Sequence, residues 1–418
     1  LRKFSISCLL IIAAAVEPPG MRAAAAQIPE WSCSGYYKNF SIILDPASAS
    51  SGGLLGAVNN RLRVSITAEY SRRLMMKIAY GLIPRLKDSR LDANLSFASG
   101  IDPGIYRVRD LDRRLYAGGG SSNFDVLQNL DRAFLTIKTK TADFSIGRQA
   151  LSWGSSRMIN PTDLIAPFAF DELDSEDRAG VDALRMRAPV GNLGEFDAGY
   201  IAGRDANYKS SGFYTGIRFN AFKTDASLMF LGFKKNLMVG INLARSIGGA
   251  GTWMETAYVS TGILAKDNNN RGENYLRLST GIDYNFFKGI YCIFEYHFNG
   301  AGGRGADEYS KVLAKTAYTD GSDYLLGRHY AACSAAYRAT PLMTADTRVL
   351  WNLNDYSLLL SPRIEYNIAE NIYVEAGAFA GTGPSPLSVP AAPVLPFKPR
   401  SEFGSYPDVY YTSIRVYF

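Results

Sequence analysis

The chain has 418 residues, a net charge of +6 and only 20% charged residues, a balance that gives no argument for nucleic acid. Four cysteines over this length do not make a disulfide scaffold, and the absence of CxxCH excludes c-type haem on this chain. Beyond the N-terminus no window offers about eighteen uninterrupted apolar residues, so no helix of this sequence is suited to cross a bilayer.

At the N-terminus Arg2 and Lys3 precede the apolar run from Cys8 to Val16, and Ala24-Ala25-Ala26 supplies small residues before Gln27. This predicts a secretory signal peptide over residues 1–26 and one domain over residues 27–418. Losing Arg2, Lys3, Arg22 and Glu17 lowers the net charge from +6 to +4.

The domain reads as strands. From Asn60 to Glu69, Leu62, Val64, Ile66 and Ala68 alternate with Arg61, Arg63, Ser65 and Thr67. That period of two marks a sheet with one apolar and one polar face. Comparable runs are predicted at 31–43, 60–69, 74–84, 130–138, 141–151, 180–188, 194–203, 211–220, 223–233 and 236–246. Eight more follow at 252–261, 274–284, 290–298, 329–338, 343–351, 356–367, 371–381 and 408–418. Most have the nine to twelve residues that a tilted strand needs to cross hydrocarbon. Connections alternate between short ones (139–140, 221–222, 368–370) and long polar ones (85–129, 152–179, 299–328, 382–407).

The fold class that follows is all-β: a transmembrane, antiparallel up-and-down β-barrel of 16–18 strands, with short periplasmic turns and long extracellular loops. The 26 Tyr and 22 Phe suit its interfacial girdles. Its last strand, DVYYTSIRVYF, ends in Phe418, as outer-membrane assembly signals do. The location implied is the bacterial outer membrane.

Reading the polar face as lumen predicts a wall of Arg63, Arg185, Arg187, Arg277, Glu295, Arg348, Arg363, Glu365 and Arg415. Eighteen strands would enclose an aqueous channel. In the loop after Trp153, the acidic run Asp171, Glu172, Asp174, Glu176 and Asp177 is the candidate for an inward-folded pore constriction. Its spacing is not that of an EF-hand, and no metal or cofactor is expected on this chain. Lys87, Arg90, Arg107, Arg109, Arg113 and Arg114 could meet lipopolysaccharide phosphates. Seven prolines between Gly383 and Pro407 predict an extended loop free of internal hydrogen bonds. Cys292 and Cys333 fall on neighbouring strands, so a bridge between them is conceivable. With two histidines and no GxSxG, HExxH or phosphate-loop context, an enzyme is not expected.

GRQALSWGSSRMINPTD (Gly147–Asp163), FDELDSEDRAGVDALRMR (Phe170–Arg187) and EYHFNGAG (Glu295–Gly302) resemble porin-like outer-membrane barrels of Gram-negative, Geobacter-type deltaproteobacteria. The resemblance implies passage of small polar solutes. Some members sheathe a multihaem c-type cytochrome in a porin–cytochrome conduit for electron transfer, which is the alternative; haem would then sit on the partner chain.

Overall fold

Alternation decides the wall. Along the last strand Tyr410 and Ile414 are about half exposed on the outside, while Tyr411, Ser413 and Arg415 turn inward. The structure, a computed structural model, describes residues 29–47, 53–91, 103–111, 113–117, 123–168, 170–207, 210–265, 272–286, 289–388 and 397–418. The predicted signal peptide lies outside the described residues.

Eighteen wall strands run in chain order. They are β1 (Glu30–Asp45), β2 (Leu55–Ser71), β3 (Leu74–Lys87), β4 (Phe124–Lys138), β5 (Asp143–Gln149) and β6 (Val181–Val190). Next come β7 (Gly194–Ile201), β8 (Gly212–Ala221), β9 (Thr224–Phe233), β10 (Asn236–Ile247), β11 (Ala250–Ser260) and β12 (Tyr275–Phe286). The circuit ends with β13 (Ile290–Asn299), β14 (His329–Thr340), β15 (Met343–Asn352), β16 (Leu358–Ala369), β17 (Ile372–Thr382) and β18 (Asp408–Tyr417). Each pairs antiparallel with the next, and β1 also pairs with β18, from Tyr36↔Tyr417 to Asp45↔Asp408. The sheet is therefore closed, with no edge along its circuit. Outward residues such as Ile146, Leu184, Ile241, Phe294 and Ile364 stand at or near half exposure, an apolar belt for a bilayer. Trp31, Phe222, Phe286 and Phe418 mark one rim of that belt, and Phe213, Trp351 and Tyr356 the other.

Several strand boundaries differ from the sequence reading, that of β4 most of all. β4 starts at Phe124, six residues before the predicted 130, because Asp125 meets Arg85 of β3 through two hydrogen bonds of 2.6 and 2.9 Å. A charge that finds its partner directly opposite on the neighbouring strand belongs to a strand, although in sequence it looks like loop. Within β4 the register shifts opposite Ala79 and Tyr80, a bulge that leaves Asp131 without a register partner on β3 and puts both Asp131 and Arg132 among the buried charges.

A short extra strand, Arg114–Ala117, adds to β4 at the loop end. Arg107 is not available to an external phosphate, since it is buried on Gly180 O, Asp110 and Asn129. Arg109, Arg113 and Arg114 are exposed. The proline-rich loop is not free of internal hydrogen bonds: Leu387–Ser388 pairs with Phe397–Lys398, and Glu402 accepts from Tyr330, Asn352 and Leu326 N. Cys333 lies opposite Phe294 and Cys292 opposite Ala335, so the two thiols are out of register and both are free.

At the turn end Phe222 and Lys223 join β8 to β9 with φ of 53° and 60°. Both positions of this two-residue hairpin need left-handed backbone, which favours Asn-Gly. Replacing Phe222-Lys223 by Asn-Gly should stabilise the barrel by about 1 kcal/mol. Urea unfolding of the folded barrel in lipid checks this, and an unchanged midpoint would contradict it.

The loop end is not an open aqueous tube. Tyr106, Leu164, Ile165 and Ala317 from loops pack with Tyr214, Met229, Met238 and Val259 of the wall. A second cluster joins Ile159, Phe170, Leu325 and Phe403 to Phe40, Tyr330, Leu350 and Phe379. Loops bury apolar surface inside the barrel, so part of its interior is packed like a soluble core.

Candidate constriction and lumen wall

The connection between β5 and β6, residues 150–180, folds across the inside of the barrel. Two wall carboxylates hold its first half. Glu255 of β11 accepts the backbone N–H of Ser155 (2.8 Å), Ser156 (2.9 Å) and Thr162 (2.8 Å), and the Thr162 hydroxyl (2.7 Å). Glu295 of β13 accepts Ile159 N (2.8 Å), Arg157 N (3.0 Å) and the indole N–H of Trp253 (2.8 Å). Both carboxylates have no exposed surface. A buried charge is tolerable when fixed donors surround it, and here the loop backbone provides them. Between the two carboxylates, Ser279 donates to Ile159 O (2.8 Å) and Arg277 to Pro161 O (3.2 Å).

The local sequence is fitted to this docking. Gly154 has φ of +109°, and a Cβ there would lie 2.8 Å from each Glu255 oxygen. Asn160-Pro161 turns the chain, which brings Thr162 back to the same carboxylate as Ser155.

The acidic half reaches different strands. Asp174 takes Lys38 Nζ and Arg61 Nη1, each at 2.8 Å. Glu176 takes Lys38 Nζ (2.5 Å) and the Tyr417 hydroxyl (2.8 Å). Asp177 takes the Tyr36 hydroxyl (2.8 Å) and pairs with Arg63. Burial pushes Asp174 up, but Arg61 and Lys38 outweigh it and hold the carboxyl below its ordinary range. Burial likewise pushes Asp177 up, and Tyr36 and Arg63 bring it below. Asp171 has no such compensation: burial raises it to about 6, and its Oδ2 finds no hydrogen bond among the described residues. Glu172 is exposed. The five acidic residues thus divide: three face basic wall residues, one is buried, and one is open to solvent.

The predicted wall residues are mostly paired. Arg63 bridges Asp131 (2.7 Å) and Asp177. Arg185 makes two hydrogen bonds with Asp197, of 2.7 and 2.9 Å, and Arg187 stands in register with Asp143 and Asp197. Arg363 meets Asp346 at 2.8 Å, while Arg415 pairs with Glu375 (2.9 Å) and Glu365. Arg348 lies over the Phe170 ring at 5.6 Å. Arg277 and Glu295 are covered by the loop, and Arg277 adds Asp323 at 3.3 Å.

Lys38, Arg61, Trp253 and Glu255 did not enter the sequence reading of the lumen. The signal for Lys38 and Glu255 was present: a lone charge at an inward position of an otherwise apolar strand implies a buried partner. Beside the docked loop remains a chamber of about 710 Å³, bounded by residues 152–156 of the loop and by β6 to β10.

Solved barrels share this architecture at very low identity. OccAB4 of Acinetobacter baumannii is 8% identical, with 94% of this chain and 100% of that chain covered and a TM-score of 0.56. A BenF-like porin of Pseudomonas fluorescens Pf-5 is 11% identical over 93% and 98%, with a TM-score of 0.57. OpdK of Pseudomonas aeruginosa, crystallised with vanillate, is 9% identical over 93% and 98%, with a TM-score of 0.54. No family model and no curated protein sequence matches the chain.

Proposed function

We propose that this barrel is an outer-membrane, porin-like channel through which small polar solutes diffuse, and that residues 150–180 are its constriction. One observation carries the reading: a loop docked on opposite parts of the wall narrows the lumen yet leaves a polar chamber beside it. An 18-strand circuit is wide enough for that arrangement, and the fold neighbours include a barrel described as a porin. The sheath of a multihaem cytochrome is the weaker alternative, since a guest chain would have to displace the docked loop. Arg109, Arg113 and Arg114 at the loop end are the residues proposed to meet lipopolysaccharide phosphates.

Deleting residues 168–178 removes Asp171, Glu172, Asp174, Glu176 and Asp177 together. The single-channel conductance of the purified barrel in planar bilayers should then rise. Equal conductance in both proteins would sink the constriction.

A further inference from the structure

Three outer connections meet at one pair of carboxylates. Glu402, between β17 and β18, has no exposed surface, and Asp355, in the turn between β15 and β16, is half-buried beside it. Glu402 Oε1 accepts Leu326 N of the 299–328 loop at 2.8 Å. Its Oε2 accepts the Tyr330 hydroxyl (2.5 Å) and Asn352 Nδ2 (2.7 Å). Asp355 accepts Glu402 N (2.7 Å), Ser357 N (2.8 Å) and the hydroxyls of Tyr309 (2.6 Å) and Ser357 (2.7 Å). The pair thus ties the segment 397–407 to both of its neighbours at the loop end. What it seats there is apolar: Phe403, 1% exposed, belongs to the cluster that contains Leu325 and Phe170 of the constriction loop.

The donors around this pair fall short of two negative charges. Asn352 Nδ2 lies within 3.3 Å of both carboxylates and 2.8 Å from the Tyr309 hydroxyl, so two hydrogens serve three acceptors. The other titratable groups that face Glu402 are Tyr309, Tyr318, Tyr324, Tyr330 and Tyr406, none of which carries positive charge. Among the described residues no lysine or arginine pairs with either carboxylate. The guanidinium of Arg328, close by in sequence, lies instead on Gly302 O at 3.1 Å. Two like charges held this close in a buried site favour a proton on one of them. Burial pushes Glu402 up to about 8 and the Asp355 charge adds to it, against the donors Tyr330, Leu326 N and Asn352.

The geometry points to a proton-operated latch: Glu402, protonated beside Asp355, keeps the segment 397–407 seated inside the outer mouth, and loss of that proton in alkali releases it. The inference goes beyond the diffusion-channel reading and rests on it only for the consequence that conductance then rises. A carboxyl raised above its ordinary value of about 4 favours the seated segment fully below that value, and progressively less as pH rises through about 8.

Maleimide labelling of Ser401→Cys, a fully buried position of the seated segment, tests the latch in the full chain with Cys8, Cys33, Cys292 and Cys333 replaced by serine. Each rate is divided by that of Arg400→Cys at the same pH, an exposed position that reports thiol ionisation alone. The ratio should rise at least about tenfold from pH 6 to 9, and less than about twofold once Glu402→Gln removes the titrating group. Asp355→Asn removes only the neighbouring charge, so it should reduce the rise without abolishing it. Retention of the heat-resistant folded band on gels shows that each variant has closed its barrel. A flat ratio in the parent, or an undiminished rise in either variant, overturns the latch. Labelling does not depend on conduction, so a barrel that gains label in alkali without conducting keeps the latch and loses only the diffusion reading.

Discussion

In E255A/E295A, residues 150–180 should leave the wall, so that trypsin cuts at Arg157 and Arg178 while the strands stay intact. Each carboxylate accepts at least three donors from the loop or from Trp253, and both are fully buried. Removing one strands those donors, and hydrogen bonds to a charged group contribute about 1.5–3 kcal/mol each. Even about 3 kcal/mol lowers the docked-to-free ratio by roughly 100-fold at a single site, and by roughly 10⁴-fold in the double variant if the two sites add. Glu255→Gln and Glu295→Gln should be milder, because the amide oxygen can still accept. Current recordings of the alanine variant should show large, noisy openings; quiet, native-size channels would contradict the role given to these residues. Gly154→Ala should mimic the Glu255 loss in part, since its Cβ would occupy the space of that carboxylate.

Acid should open the constriction, and the sign can be worked out. Asp174 and Asp177 titrate below the ordinary carboxylate range of about 4. Their contribution to docking is full above that range and is lost as pH falls through their depressed values. Asp171 behaves oppositely. With its value raised to about 6, it favours docking fully below about 4 and progressively less as pH rises through 6. The loop should be held best near pH 4, progressively less well as pH rises to about 6, and less well again as pH falls below 4. Conductance measured from pH 7 to 3 should fall towards a minimum near 4 and then rise steeply below it. In Lys38→Met/Arg61→Met, where Asp174 and Glu176 lose their basic partners and only Arg63 still faces Asp177, that steep rise should be much reduced. A flat profile in the unmodified barrel would refute the electrostatic clamp.

The wall was legible in the sequence because a bilayer enforces it. Leu62 and Ile66 must face lipid, so Arg61 and Arg63 must face inward, and no long-range knowledge is needed. The strand count and the alternation of turns and loops follow from the same rule. The interior was less legible for a physical reason. Glu255 finds its donors about a hundred residues away at Ser155 and Ser156, and Lys38 finds Asp174 and Glu176 at separations of 136 and 138 residues. Backbone N–H groups carry no residue signature, so nothing in GSSRM announces that it will surround a carboxylate. Arg85 and Asp125 show the same limit within the wall, where a charge pair that reads as loop extends two strands.

The pairing of β1 with β18 also governs how the chain comes into being. Tyr36 cannot meet Tyr417 until the 380 residues between them have been made. Half of the hydrogen-bonding capacity of both strands therefore waits on the synthesis of β18. Until then the two strands are open edges, the kind that pair with strangers. Closure across so many residues costs chain entropy before any bond repays it. A truncation of only the last strand should therefore leave an aggregation-prone ribbon rather than a slightly smaller barrel. The chain must be kept from folding until its final strand can close the circle.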